Sequence, residues 1–328
     1  MPIGSVSVTE ASEIVATTLR SATGKLADNT STNNPVLRRL RSRGKIKPWR
    51  GGYAIRQEIH YSGNTTWTRY SGYDPLNVAP SETIGSYEFD PKFATIAVTI
   101  SGEELLKNQG EAQIIDLLEG RIENAMAEGQ NQLDADCCSD GTASGSKQIG
   151  GLSLLVSTTP TTGTVGGVSR VTYSVARNKQ YRALTTGGAI KSATNIQLYM
   201  NRLWIQQARG SDFPDLILMS NEDYAFYEVA VQTIQRITEP TMGDLGFPTY
   251  KYKGADVVPN GQGGNITANL SYFLNTKHIF LRPHEDRNLE QIGGPRTPVN
   301  QDASINVIAF AGNMTCDWFP GQGVLQND

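Results

Sequence analysis

The sequence predicts an α+β fold, on three observations. One amphipathic stretch runs from Ala112 to about Cys138, several short segments alternate apolar and polar residues, and Leu216–Met219 is a continuous apolar run. The first has the period of a helix, the second the period of half-buried strands, and the third suits a strand buried on both faces of a sheet. Composition agrees: 38% hydrophobic and 19% charged residues, with 33 glycines among 328 positions, suit strands, turns and extended arms better than a helical bundle. No apolar run approaches the roughly 18 residues that a membrane span needs. Met1–Glu10 lacks the charged region and apolar stretch of a secretory signal. Three cysteines, two of them adjacent at Cys137 and Cys138, cannot form a closed disulfide set and point to a reducing cytosol.

The first 50 residues read as an arm. Ser7 and Glu10 have capping-box spacing ahead of Ile14, Val15 and Leu19, and Ser21–Asn34 is a polar connector. Pro35 opens a second short helix, with Val36, Leu37 and Leu40 inward and arginines outward, ending by Gly44. Neither piece buries enough to hold itself, so the arm must lie on something else.

Tyr53–Tyr61 alternates as a strand, and Phe93–Ile100 is expected to be its partner. The insert between them, Ser62–Lys92, is too long for an ordinary hairpin loop and carries Trp67, Tyr70 and Tyr73. It is expected to extend as a ribbon that lies on a neighbour or folds back on its own chain.

Ser101 and Glu104 form a capping box for a short helix ended by Gly110. The long helix follows, roughly 40 Å at about 1.5 Å per residue, with Ile114, Leu118, Ile122, Met126 and Leu133 on one stripe. Asp116, Glu119, Glu123, Glu128 and Asp134 lie on its other face. After Thr142 the chain turns Gly-, Ser- and Thr-rich to Arg170, and a domain boundary is placed there. Beyond it, Thr194 and Gln197 cap a helix with Ile196, Tyr199, Met200, Leu203 and Trp204 inward. Ser220 and Asp223 cap another, with Tyr224, Tyr227, Val231 and Ile234 as its stripe. Short strands follow at Ala255–Val258, Tyr272–Leu274 and His278–Leu281, and a last one from Ala303 to Phe310 continues to Trp318.

Net charge is −3, yet it is unevenly placed. Asn29–Gln57 holds eight basic residues (Arg38, Arg39, Arg41, Arg43, Lys45, Lys47, Arg50 and Arg56) and no acidic one, whereas Ser101–Asp140 holds ten acidic and two basic. The basic stretch has no aromatic before Trp49, so on nucleic acid it would neutralise phosphates without reading bases. A clamp onto the acidic helix of a neighbouring copy is preferred, because that counterpart is present in every copy.

Catalytic and cofactor motifs are missing from the pattern. His60, His278 and His284 have no metal-binding spacing and are expected to be ordinary surface residues. The cysteines lack C-x-x-C spacing and read as small core residues. Asp134, Asp136 and Asp140 fall short of a calcium loop because Cys138 stands at a position that needs a hard oxygen. Gly141–Lys147 and Gly261–Gly264 are not phosphate loops, and no nucleophile elbow occurs. The sequence therefore gives no cofactor, no metal and no catalytic residue.

Local phrases in a particular order carry a resemblance: Asn34–Arg39 (NPVLRR), Tyr70–Asp74 (YSGYD), Ala97–Gly102 (AVTISG), Ile114–Glu119 (IIDLLE), Ser139–Thr142 (SDGT), Ile149–Leu152 (IGGL) and Asn300–Ala303 (NQDA). Over essentially its whole length the chain resembles the major capsid proteins of tailed bacteriophages, with the Hong Kong 97-type shell fold. The resemblance implies an amino-terminal arm over 1–50, an extended loop over 51–100 and a peripheral domain with a spine helix over 101–150. It further implies an axial domain over 151–298 and a return strand over 299–328. The implied function is self-assembly into hexamers and pentamers of a virion head around double-stranded DNA, in the cytoplasm of a host bacterium. The charge imbalance and the aromatic insert make Arg38, Arg39, Arg41, Arg43, Lys45, Lys47, Trp67, Tyr70, Tyr73, Glu119, Glu123 and Glu128 the expected inter-subunit residues. The implied partners are further copies, a scaffolding protein, a portal and a cement protein.

Two departures stand out. No lysine occurs between Lys47 and Lys92, which speaks against a covalent lysine–asparagine staple from the loop tip. The arm is short, which points to a separate scaffolding protein. The competing readings are an encapsulin-type compartment with the same fold and a hydrolase with a carboxylate pair.

Overall fold

A computed structural model describes residues 35–107, 111–232, 250–260, 266–294, 296–298 and 300–328, with the backbone alone at 105–107, 111–120, 130 and 232. The expected features at 1–34, Gly110, Ile234 and Gly261–Gly264 lie outside the described residues.

Helix α1 (Pro35–Ser42) buries Val36, Leu37 and Leu40 against the body of its own chain. Each such side chain contributes about 1.5–3 kcal/mol, enough to fix a helix too short to persist alone. This part of the arm therefore rests on its own chain. Beyond Gly44, which takes a left-handed turn, residues 45–50 run along β11 (Ile279–Gln291) as an added parallel edge. Lys47 N donates to Leu281 O at 2.9 Å and Trp49 N to Pro283 O at 2.7 Å.

Strand β1 (Ile55–His60) forms where expected, but its partner is β2 (Ile84–Phe89). Ile55, Ile59, Tyr87 and Phe89 share the buried face of this ribbon. The expected partner, β3 (Lys92–Ser101), instead pairs with β12 (Ala303–Cys316), which also pairs with β11. The reason lies in the chain path: Asp90 and Pro91 break the alternation, and Asn313 Nδ2 on β12 donates to Asp90 O at 2.8 Å, drawing the following strand to that sheet. The ribbon does not continue outward either. Residues 61–83 contain no strand.

The capping box is present: Ser101 N donates to Glu104 at 3.1 Å and Glu104 N to Ser101 Oγ at 3.3 Å, opening α2 (Gly102–Lys107). Helix α3 (Glu111–Cys138) matches the long periodic stretch, with Ile122, Leu133, Cys137 and Cys138 buried. A small hairpin, β4 (Thr164–Val165) and β5 (Val168–Ser169), supports the ribbon: Gly166 O accepts from Glu88 N at 2.9 Å, so close that a side chain at 166 would strike Tyr87.

The remaining strands are β6 (Lys179–Arg182), β7 (Leu216–Met219), β8 (Tyr250–Tyr252), β9 (Ala255–Pro259), β10 (Leu270–Leu274) and β13 (Gly323–Gln326). They form a mixed sheet in the order β6-β13-β10-β7-β9-β8. Strand β7 sits inside it, as its unbroken apolar run requires. Leu216 and Leu218 face the core shared with the ribbon, α3 and the β11-β12-β3 sheet. Ile217 and Met219 face a second core under α4 (Ile196–Gln207) and α5 (Asn221–Gln232). The sheet is thus the wall between two cores.

Two helix starts differ from expectation. Asn195, and not Thr194, is the N-cap residue of α4, and its side chain is spent on Ser192 N at 2.7 Å and Ile190 O at 2.8 Å. At α5, Ser220 Oγ accepts from Asp223 N at 3.4 Å, but the Asp223 carboxylate turns inward to Lys191 and Ser271. The Ser220 amide is already taken by Leu270 O at 3.0 Å, and a fully buried lysine 2.5 Å away claims the carboxylate.

Candidate assembly interface

The basic stretch folds with its charges divided. Arg39 Nε lies 2.9 Å from Asp215 and its Nη1 3.2 Å from Asp256, while Arg43 Nη2 lies 3.1 Å from Asp215. Asp215 also accepts from Thr276 N and Oγ1, both at 2.6 Å. The two aspartates lie at the adjoining ends of β7 and β9, which pair in parallel with Leu216 opposite Asp256. Arg39 and Arg43 are therefore neutralised within their own chain, contrary to the expected clamp onto a neighbour's acidic helix. Lys45 and Lys47 sit over the Phe280 ring, at 4.8 and 5.3 Å, with Lys47 exposed. Arg38 is half-buried, and that burial lowers its pKa; Arg41 is exposed.

On the acidic side, Glu123 and Glu128 project from α3 into solvent, and the Glu119 side chain lies outside the described ones. Arg121, on the same helix, reaches back to Thr99 O at 2.8 Å and to Glu104, whose carboxyl it holds down at about 2 together with bonds from Ser101. Glu128, Arg121 and Ile96 border a groove of about 680 Å³ between α3 and strands β3 and β12.

The aromatic insert is the most exposed apolar feature among the described residues. Trp67 is 87% exposed, Tyr70 67% and Tyr73 fully, with Leu76 and Val78 beside them. Its shape comes from local turns. Asn64 Oδ1 accepts from Thr66 N at 2.9 Å and from Ser81 Oγ at 3.4 Å, joining the two limbs. Asp74 accepts from Ser71 N at 3.0 Å around Gly72, and the turn presents Tyr73 outward. Contiguous exposed apolar patches are uncommon on chains that work alone. The structure therefore does not bring the predicted residues together: the aromatics, the basic stretch and the acidic face occupy separate places on one molecule.

Searches with the sequence match no protein-family model and no curated protein. Solved structures do match. The capsid asymmetric unit of cyanophage A-1(L) aligns over 90% of this chain and 93% of that one, with a TM-score of 0.69 at 15% identity. The chain has the Hong Kong 97-type shell fold. The capsid of Myoviridae phage XM1 shares that fold over 88% of this chain and 92% of that one (TM-score 0.52, 12% identity). So does the holo-SrpI encapsulin of Synechococcus elongatus PCC 7942, over 88% and 87% (TM-score 0.54, 9% identity).

Within this Hong Kong 97-type chain the titratable groups are mostly structural. Cys137, Cys138 and Cys316 are buried free thiols, and burial pushes Cys138 up to about 12. Among the described residues no group of three or more His, Cys, Asp or Glu is placed to hold a metal, and no helix is long and apolar enough to cross a membrane. His278 is not the ordinary surface residue expected: its two ring nitrogens lie 2.7 Å from Asp317 and 3.1 Å from Asp212. Sequence reading missed Asp215, Asp256, Asp212 and Asp317 as partners. The only signal at Asp215 is its place between Pro214 and a buried strand.

Proposed function

We propose that this chain is the major capsid protein of a tailed bacteriophage, assembling through hexamers and pentamers into an icosahedral head around double-stranded DNA. One observation carries the reading: on a shell fold, residues 61–83 hold Trp67, Tyr70 and Tyr73 away from any core of their own chain. Exposing three large aromatics on a finger costs stability and solubility unless another surface covers them. Identical copies supply that surface in a closed shell. The finger is accordingly assigned to the adjacent copy, with Arg38, Arg41, Lys45, Lys47, Glu119, Glu123 and Glu128 as further inter-subunit residues. The role is structural.

The division into arm (1–50), extended loop (51–100), peripheral domain (101–150), axial domain (151–298) and return strand (299–328) belongs to the same proposal. So do a virion location, assembly in the bacterial cytoplasm, and a scaffolding protein, portal and cement protein as partners.

The similarity to the SrpI encapsulin favours a second reading, a protein-filled compartment. Electron microscopy of the expressed chain, with extraction of particles from infected or lysogenic cells, tests both. Closed particles containing double-stranded DNA support the capsid. Particles of uniform size filled with an enzyme support the compartment, and a monodisperse monomer contradicts both.

A further inference from the structure

The six-stranded and three-stranded sheets are joined by two short crossings among the described residues. Residues 275–278 carry the chain from β10 to β11, and residues 317–322 carry it from β12 back to β13. The crossings are stitched together. Asn275 N donates to Gln322 Oε1 at 2.9 Å and Gln322 Nε2 to Asn275 O at 3.1 Å, both side chains buried. Asp317 N donates to His278 O at 3.1 Å.

His278 stands at the centre of this joint. Nδ1 lies 2.7 Å from Asp317 Oδ1 on the second crossing, and Nε2 lies 3.1 Å from Asp212 Oδ2 on the turn after α4. The Trp318 ring covers it edge-on at 5.0 Å, with the Arg209 guanidinium 5.8 Å beyond on that indole. Lys277 binds the other oxygen of Asp212 at 2.8 Å, and Arg282, further along β11, acts on Asp317 through its charge. Two carboxylates thus face one imidazole, and the nearby cations address the carboxylates and the indole.

We infer that His278 is a proton-operated latch between the two sheets, closed as the imidazolium and loosened as the neutral ring. The imidazolium donates from both nitrogens and so holds Asp317 and Asp212 together. The neutral ring keeps one proton. The shorter contact, to Asp317, retains it, and a lone pair then confronts Asp212, so the turn at 208–213, still tied to Lys277 through the other oxygen, is loosened. Burial opposes the charged ring, but the hydrogen bonds and charges of Asp317 and Asp212 outweigh it and raise the pKa above 6.5. A raised folded-state value places the stabilisation fully below about pH 6.5 and removes it as pH climbs through the higher folded value. The latch does not depend on what the shell encloses.

Two measurements on the full chain decide it. The chain has three histidines, so proton resonances of the imidazoles, assigned by substitution, give the His278 midpoint directly. Hydrogen exchange over 208–213, corrected for intrinsic rates and made at one assembly state on both sides of that midpoint, reads the loosening. A midpoint above 6.5 with a several-fold loss of protection on the alkaline side is expected, and His278→Gln should abolish that pH dependence. A midpoint at or below 6.5, or protection unchanged across the midpoint in the unsubstituted chain, overturns the latch even where the variant fails to fold.

Discussion

Arg39 Nε donates to Asp215 Oδ2 at 2.9 Å, tying the helix at the start of the described chain to the residue just before β7, 176 positions later. With Arg43 and Thr276 on the same carboxylate, this contact fastens the basic stretch to the sheet between the two cores. Asp215→Ala removes the carboxylate that Arg39, Arg43 and the buried Thr276 amide share, while Arg39 keeps Asp256. It should lower the unfolding free energy by about 3–5 kcal/mol, measured by urea denaturation. Arg39→Ala should cost less, because Arg43 remains.

The aromatic finger predicts the opposite pattern. Trp67→Ala and Tyr73→Ala remove side chains with little contact inside the chain. Stability of the unassembled chain should change by no more than about 0.5 kcal/mol, while the yield of particles in sedimentation falls sharply. Equal loss of stability and assembly would place the finger on its own chain.

Acid titration reads the capping box. The Glu104 carboxyl, held at about 2 by Arg121 and Ser101, contributes stability that is full above 4.5 and fades as pH falls toward 2. Glu104→Gln should flatten that part of the profile of unfolding midpoint against pH. Asp212, also brought to about 2 by Lys277, Asn275 and His278 against the opposing effect of burial, leaves a residual slope.

Gly151 allows the chain after α3 to pack against that helix's last turn. A methyl group there would stand 2.4 Å from the carbonyl oxygens of Asp136 and Cys137, which are backbone atoms and cannot swing aside. Gly151→Ala should destabilise the chain by about 1–3 kcal/mol, read as a lowered thermal midpoint.

What the sequence made legible follows its local physics. The Leu216–Met219 run, the Ser101–Glu104 box and the α3 periodicity each depend on neighbours a few positions away, and each forms. The partner of Ile55–His60 was not legible, because alternation announces a strand and not its neighbour. Ile84–Phe89 alternates over only six residues and begins with an exposed isoleucine beside a glycine, so the stronger pattern of Phe93–Ile100 hid it. In the candidate interface the exposed aromatics were legible from composition. The fates of Arg39 and Arg43 were not, since a carboxylate in a distant segment leaves no mark beside the arginine it will bind. His278 was missed for the same reason, its partners lying 39 and 66 positions away.

Light scattering on the purified full-length chain puts the central claim to the most direct test. The account predicts capsomers or closed particles far heavier than the 35.7 kDa of one chain, and their dissociation when Trp67 and Tyr73 are truncated. A stable monomer at every concentration, with the aromatic finger intact, would contradict it.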